Sequence, residues 1–194
     1  IIVSQEFKGI ISHPAISITV GIVVATMIYG FGDISGAHMN PAVTFGFYLA
    51  KEFPLKEILP YFISQAIGAI GASALLRYTF PTNEDLGMTQ PGIGINQALV
   101  FEIILAFILM IVILNVAKGS KEKGLFAGIA IGGVIAMEIM FAGPVSGASM
   151  NPIRSLAPAL VNRNFHALWI YFLGPFLGVS IAVLFWKLFT EKQK

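Results

Sequence analysis

Ile34-Ser35-Gly36-Ala37-His38-Met39-Asn40-Pro41-Ala42 and Val145-Ser146-Gly147-Ala148-Ser149-Met150-Asn151-Pro152-Ile153 are two copies of one motif. Laid over each other at an offset of 111 positions, Asn40 on Asn151, they share Ser, Gly, Ala, Met, Asn and Pro in order. Asn followed by Pro is a helix-start signal, with Asn as N-cap and Pro at the first helical position. The ten residues after each start, Pro41 to Ala50 and Pro152 to Val161, are mostly apolar but too short to cross a bilayer, which takes ~20 residues. Each copy therefore predicts a re-entrant half-helix. The pair predicts a membrane protein of two related halves, with irregular backbone lining a wet path at mid-membrane.

The surrounding chain agrees. It has 194 residues, 56% of them hydrophobic and only 11% charged, too few to cover a soluble domain. A net charge of +2 gives no support for nucleic-acid binding. The absence of cysteine excludes disulfides and thiolate chemistry. No phosphate-binding loop or catalytic constellation is visible, so no enzyme, cofactor or bound metal is expected.

Five full spans are predicted: Pro14 to Phe31, Glu57 to Phe80, Ile95 to Ala117, Gly124 to Ala142 and Ala167 to Phe189. The repeat reaches beyond the motifs, since Tyr61, Phe62 and Gly68 match Tyr171, Phe172 and Gly178 at an offset of 110. The whole chain, 1–194, reads as one domain, with residues 1–80 as the first repeat and 95–189 as the second. Each repeat should run span, span, half-helix, span. The first lacks its opening span, because only Ile1-Ile2-Val3 precede the polar Ser4 to Lys8, so a further helix is expected before Ile1. Without it, one wall of a pore would face lipid, and the 194-residue chain alone is expected not to conduct.

Odd numbers of spans between the motifs send the half-helices in from opposite faces. Lys51 and Lys56, then Lys118, Lys121 and Lys123, then Lys187, Lys192 and Lys194 fall on one face, which the positive-inside bias makes cytoplasmic. Glu84, Asp85, Lys8 and Arg163 belong to the other. A multi-pass protein of the cell (plasma) membrane is expected.

Two Asn-Pro-Ala-type turns in an inverted repeat resemble the aquaporins and aquaglyceroporins, the major intrinsic proteins. The resemblance implies an all-α membrane fold of six spanning helices and two half-helices, the first span largely missing here, and a homotetramer. It also implies a passive channel for small neutral solutes and water. Physically, Asn40 and Asn151 can each cap a half-helix through the side-chain oxygen, leaving the amide NH2 to donate into a lumen. The positive half-helix ends disfavour cations there. Gly36, Ala37, His38, Gly147 and Ser149 lie in stretches whose carbonyls could form a ladder of acceptors.

Arg154 is costly in an apolar stretch, by roughly 2.5 kcal/mol or more, and is read as functional. The resemblance places it in the outer constriction. Carried over from the resemblance by spacing, the other constriction positions that it implies are Val20, Ile139 and Ala148. This set has neither the aromatic and histidine of water-selective relatives nor the two aromatics of glycerol facilitators, and Ser155 rather than Asp follows Arg154. It is most similar to the nodulin-26-like proteins and their bacterial relatives, where Ile153 in place of Ala also recurs. Polyols, urea-like solutes and undissociated boric, silicic or arsenous acid are the expected permeants, with some water.

For Glu102, in the fourth family span, the resemblance implies a carboxylate that accepts backbone donors from the second re-entrant loop, a structural role. Glu138 points about 100° away from Ile139 on a helix, toward a subunit interface, the loop or the lumen. Asp33 reads as a solvated mouth carboxylate, His38 as lining the cytoplasmic vestibule, and Gly68, Gly71, Gly174 and Gly178 as sites of close helix packing. Two other readings fit the same repeat: a water-selective channel with an unusual filter, and an ion-coupled transporter using Glu102 and Glu138. A non-conducting membrane scaffold is a third.

Overall fold

Both motifs do what an Asn-Pro pair predisposes a chain to do. The computed structural model describes residues 1–7, 9–117 and 124–190. Its helices are α1 (Ile2–Glu6), α2 (His13–Ser35), α3 (Pro41–Leu49), α4 (Leu55–Thr79), α5 (Ile95–Ala117), α6 (Ala127–Ser146), α7 (Pro152–Asn162) and α8 (Ile170–Thr190). α3 and α7 are the half-helices. Asn40 Oδ1 caps the Ala42 N–H at 2.9 Å, and Asn151 Oδ1 caps those of Ile153 and Arg154 at 3.1 and 3.4 Å. The other five long helices, α2, α4, α5, α6 and α8, are each long and apolar enough to cross a membrane.

α2 and α6 run four residues beyond the predicted ends, Phe31 and Ala142. Their stop signal is glycine: Gly36 and Gly147 sit at φ +67° and +87°, ending each helix in a left-handed turn. Ala37 and Ala148 follow in the same left-handed region, at φ +50° and +42°. Two successive left-handed residues turn the chain back toward the half-helix, and the non-glycine at the second position carries the strain.

Packing follows the repeat. α2 lies along α6, α5 along both α6 and α8, and the last span of each repeat supports the half-helix of the other, α4 against α7 and α8 against α3. The core sits around α5, with Leu105, Ala106, Leu109, Met110 and Leu114 buried. Gly178 allows α8 to lie close on α5, since a Cβ there would fall 2.2 Å from the Ile103 carbonyl oxygen. Gly174 is similar, its Cβ meeting Glu102 at 2.6 Å.

Gly68 and Gly71 do not pack as expected. Neither has any atom within 4 Å of where a Cβ would stand. Among the described residues no helix lies against that face of α4. Instead, a cleft of about 900 Å³ opens there, reaching Val20, Asn151 and Arg154 from the side. One close approach unforeseen from sequence is that of Gly21 of α2 with Gly132 of α6, where a Cβ on either would stand 2.4 Å from the other's carbonyl oxygen.

Lys187 donates to the Leu49 carbonyl at 2.7 Å, which brings the end of α8 beside the end of α3 and its neighbour Lys51. Lys8, Lys118, Lys121, Lys123, Lys192 and Lys194 lie outside the described residues.

Candidate functional site

The half-helices meet N-terminus to N-terminus, and their capping asparagines cross. Asn40 Nδ2 donates to the Met150 carbonyl at 2.7 Å, and Asn151 Nδ2 to the Met39 carbonyl at 2.9 Å. The sequence reading leaves both amide NH2 groups free to donate into a lumen, whereas in the structure each is partly engaged. One N–H of each holds the opposite motif, and the second N–H of each NH2 is left over.

Around this junction lies a cavity of about 270 Å³. Val20, Ile139, Ala148 and Arg154 all line it, as do Asn40 and Asn151. Gly36, Ala37, His38 and Ser149 line it as well, whereas Gly147 faces an outer cavity of about 370 Å³. That outer cavity shares Ile139 and Arg154 with the central one. At the other end, a cavity of about 410 Å³ shares Gly36, His38, Phe47 and Ala117. The three form a line of hollows across the molecule with Arg154 at one neck and His38 at the other. The walls between are aliphatic, from Val24, Val43, Leu109, Ile131 and Ile135. Pro41, Ala42 and Pro152 are buried beside the junction, and Ile153 lines the side cleft instead of the central cavity.

Arg154 is held from outside, its Nη1 donating to the Gly87 carbonyl at 2.8 Å. The loop carrying Gly87 is pinned to the start of α7 by Thr89, whose hydroxyl donates to Ser155 Oγ at 2.7 Å. Ser155 is also within 2.5 Å of Ser149 Oγ. Glu102 takes three hydrogen bonds: Ser146 Oγ and Ser149 N at Oε1, 2.8 and 3.0 Å, and Met150 N at Oε2, 2.8 Å. Its carboxylate therefore grips the irregular stretch just before Asn151, where backbone donors have no helical partner.

The first motif is gripped by different chemistry. Gln65 Nε2 donates to the His38 carbonyl at 2.5 Å and to Thr44 Oγ1 at 3.1 Å, so the His38 carbonyl is already engaged. The His38 ring stacks on Phe47, centroids 4.6 Å apart, beside Phe53 and Tyr61. Tyr61 and Tyr171, the repeat-related pair, donate to the carbonyls of Ser35 and Ser146 at 3.0 and 2.7 Å, a matched brace on each motif.

Gln65, Thr89 and Gly87 carried no sequence signal, since each acts through contacts far along the chain. Glu138 faces neither the cavities nor the surface of the chain. It is fully buried in α6 and lines none of these cavities, and neither carboxyl oxygen has a hydrogen-bond partner in the structure. Asp33 is exposed at the end of α2. His13 bonds the Ile139 and Met140 carbonyls, both at 3.1 Å, at the outer cavity.

A membrane protein in which two half-helices from an inverted repeat meet at a transmembrane line of cavities is the class this geometry defines. The family model for the major intrinsic proteins matches residues 2–186, and the chain belongs to that family. It is 45% identical to aquaporin NIP1-4 of Oryza sativa subsp. japonica over 91% of the chain and 65% of the relative. It is 43% identical to nodulin-26 of Glycine max, over 99% and 72%. Among solved structures, the aquaglyceroporin from Plasmodium falciparum aligns with a TM-score of 0.77 and 26% identity, over 90% of this chain and 81% of that one. The fold is that of the aquaporins, and the protein is a multi-pass membrane protein and not an enzyme. The chain spans 65% to 72% of the length of these two curated relatives.

Proposed function

We propose that the protein is a passive channel for small uncharged hydroxylated solutes, with water passing as well and ions excluded. The observation that carries the reading is the convergence of Val20, Ile139, Ala148 and Arg154 on one cavity next to the crossed asparagines. Three small or aliphatic walls leave room for a solute wider than water, and one guanidinium supplies donors for its oxygens. The positive ends of α3 and α7, together with Arg154, make the centre unfavourable for cations. Glycerol-like polyols, urea and undissociated boric, silicic or arsenous acid fit this chemistry. A relative named as an aquaglyceroporin and several of the nodulin-26 type support it. Homotetramers in the plasma membrane, with the lysine-bearing end cytoplasmic, complete the proposal.

The test is stopped-flow light scattering on vesicles carrying the full-length protein. Swelling in glycerol and boric acid gradients is compared with shrinkage in impermeant sucrose. Solute permeability well above empty vesicles, unaffected by proton or sodium gradients, is the expected result. Fast water flux without solute flux identifies a water channel. Gradient-dependent flux identifies a coupled transporter.

A further inference from the structure

Arg77 and Lys187 stand at the same offset of 110 that relates Tyr61 to Tyr171, each in the last turn of its repeat's closing span. Each reaches the far end of the other repeat's half-helix. Lys187 Nζ donates to the carbonyl of Leu49, the final residue of α3, at 2.7 Å. Arg77 Nη2 donates to Oδ1 of Asn162, the final residue of α7. Both cations sit where the half-helix leaves carbonyls without intrahelical donors and concentrates negative dipole. Resting on the channel reading above, we propose that Arg77 and Lys187 are a symmetry-related pair of positioning residues that fix, from the two membrane faces, where α3 and α7 hold Asn40, Asn151 and Arg154.

Leverage explains why such distant residues matter. Arg154 and Asn162 are separated by about 12 Å along α7, so a 5° tilt about the outer end moves Arg154 by about 1 Å. The two anchors are not equal. Arg77 Nη1 also donates to the carbonyls of Asn83 and Pro81, at 2.7 and 3.0 Å. Asn162 Nδ2 donates to the Glu84 carbonyl at 2.9 Å, and Asn83 Oδ1 accepts from Leu86 N at 2.7 Å. The next residue is Gly87, whose carbonyl holds Arg154. Arg77 therefore holds both the far end of the helix bearing Arg154 and the loop on which Arg154 leans. Among the described residues, Lys187 donates to the end of α3 alone. A guanidinium fork can serve several acceptors at once, and a lysine ammonium, a compact point charge on one nitrogen, cannot replace it in that geometry.

The experiment compares Arg77→Lys, Arg77→Met, Lys187→Arg and Lys187→Met in the full-length protein, at matched amounts of folded protein. Two quantities are read: the glycerol-to-water permeability ratio, and amide hydrogen exchange of the segment 149–156. Both Arg77 variants should shift the ratio by about threefold or more, a small part of the ~10²-fold that 1 Å of misplacement costs in enzyme sites. Both should also speed exchange in 149–156. Lys187→Met should speed exchange at residues 40–46 and lower both permeabilities together, and Lys187→Arg should restore wild-type values. Arg77 variants with an unchanged ratio and unchanged exchange would overturn the proposal. So would an Arg77→Lys variant equal to wild type in both. If the wild-type protein passes no solute, the channel reading falls, and exchange alone then decides the positioning role.

Discussion

Asn40 and Asn151 each donate to the carbonyl immediately before the other, at Met150 and Met39, over 2.7 and 2.9 Å. Each also caps its own half-helix. The same two side chains therefore start both helices and join them, so neither half-helix has its position fixed independently of the other. Either Asn40→Ala or Asn151→Ala removes a cap, about 1 kcal/mol, and Asn40→Ala also leaves the buried Met150 carbonyl unpaired, about 1–3 kcal/mol, whereas the Met39 carbonyl freed by Asn151→Ala is exposed. The double variant should lose less than the sum, by roughly 0.5–3 kcal/mol, because the first substitution already loosens the junction. Thermal unfolding in detergent of the two singles and the double measures this. Additive losses would mean that the two ends are not coupled.

Among the described residues, Arg154 is the one Lys or Arg lining the central cavity. Arg154→Val should raise cation and proton leak by roughly tenfold or more, the factor that about 1.4 kcal/mol of barrier represents. Solute permeability should rise or stay level, because the neck widens. A pH-sensitive dye inside vesicles under an imposed pH step reports the leak. An unchanged leak would assign the barrier to the half-helix ends alone.

The repeat made much of this fold legible. Asn-Pro gave both half-helix starts, and the predicted bounds of α5, Ile95 to Ala117, coincide with the structure. Hydropathy ends α2 and α6 too early, because it fades at Asp33 and Gly143. The physical stop is the left-handed turn at Gly36 and Gly147, a local cue that hydropathy does not weigh. The supports of the site were harder to read. Gln65 on the His38 carbonyl, Gly87 on Arg154 and Thr89 on Ser155 join positions 27, 67 and 66 residues apart. A single sequence has no period that links such partners. Glycines misled for a related reason: spacing alone does not tell Gly68, beside open space, from Gly21, pressed on α6.

Glu102 accepts from three donors, two of them backbone N–H groups. Glu102→Gln keeps the size but turns an NH2 toward one of those donors. The expected loss is about 2–4 kcal/mol, combining a broken charge-assisted bond with an unsatisfied buried N–H. Solute flux per folded molecule should fall as well, since Ser149 and Met150 lead directly into Asn151. Unfolding midpoints alongside vesicle flux check both parts.

Adjacent glycines in α6 should answer differently to alanine. A Cβ on Gly132 would stand 2.4 Å from the Gly21 carbonyl oxygen, whereas Gly133 has nothing within 4 Å. Gly132→Ala should cost about 1–3 kcal/mol through forced separation of α2 and α6. Gly133→Ala should be neutral or gain up to about 1 kcal/mol from helix propensity. Because α2 carries Val20 and α6 carries Ile139, the first variant should also raise solute permeability per folded molecule. Paired unfolding and flux measurements separate the two effects.

Glu138 offers the sharpest division between a channel and a coupled transporter. It is fully buried in α6, its carboxyl oxygens have no hydrogen-bond partner in the structure, and it lines none of the cavities around Arg154. Burying such a group without partners costs free energy, so an apolar side chain of similar volume should be neutral or stabilising, by up to about 3 kcal/mol. For a channel, Glu138→Met should therefore unfold at an equal or higher temperature and leave solute flux unchanged. A coupling carboxylate behaves oppositely, because its cost in stability is retained for transport, and its loss would abolish gradient-driven uptake. Flux measured with and without a proton gradient, on wild type and Glu138→Met side by side, distinguishes the two. Equal flux in all four conditions, with the variant at least as stable, is the result the structure leads us to expect.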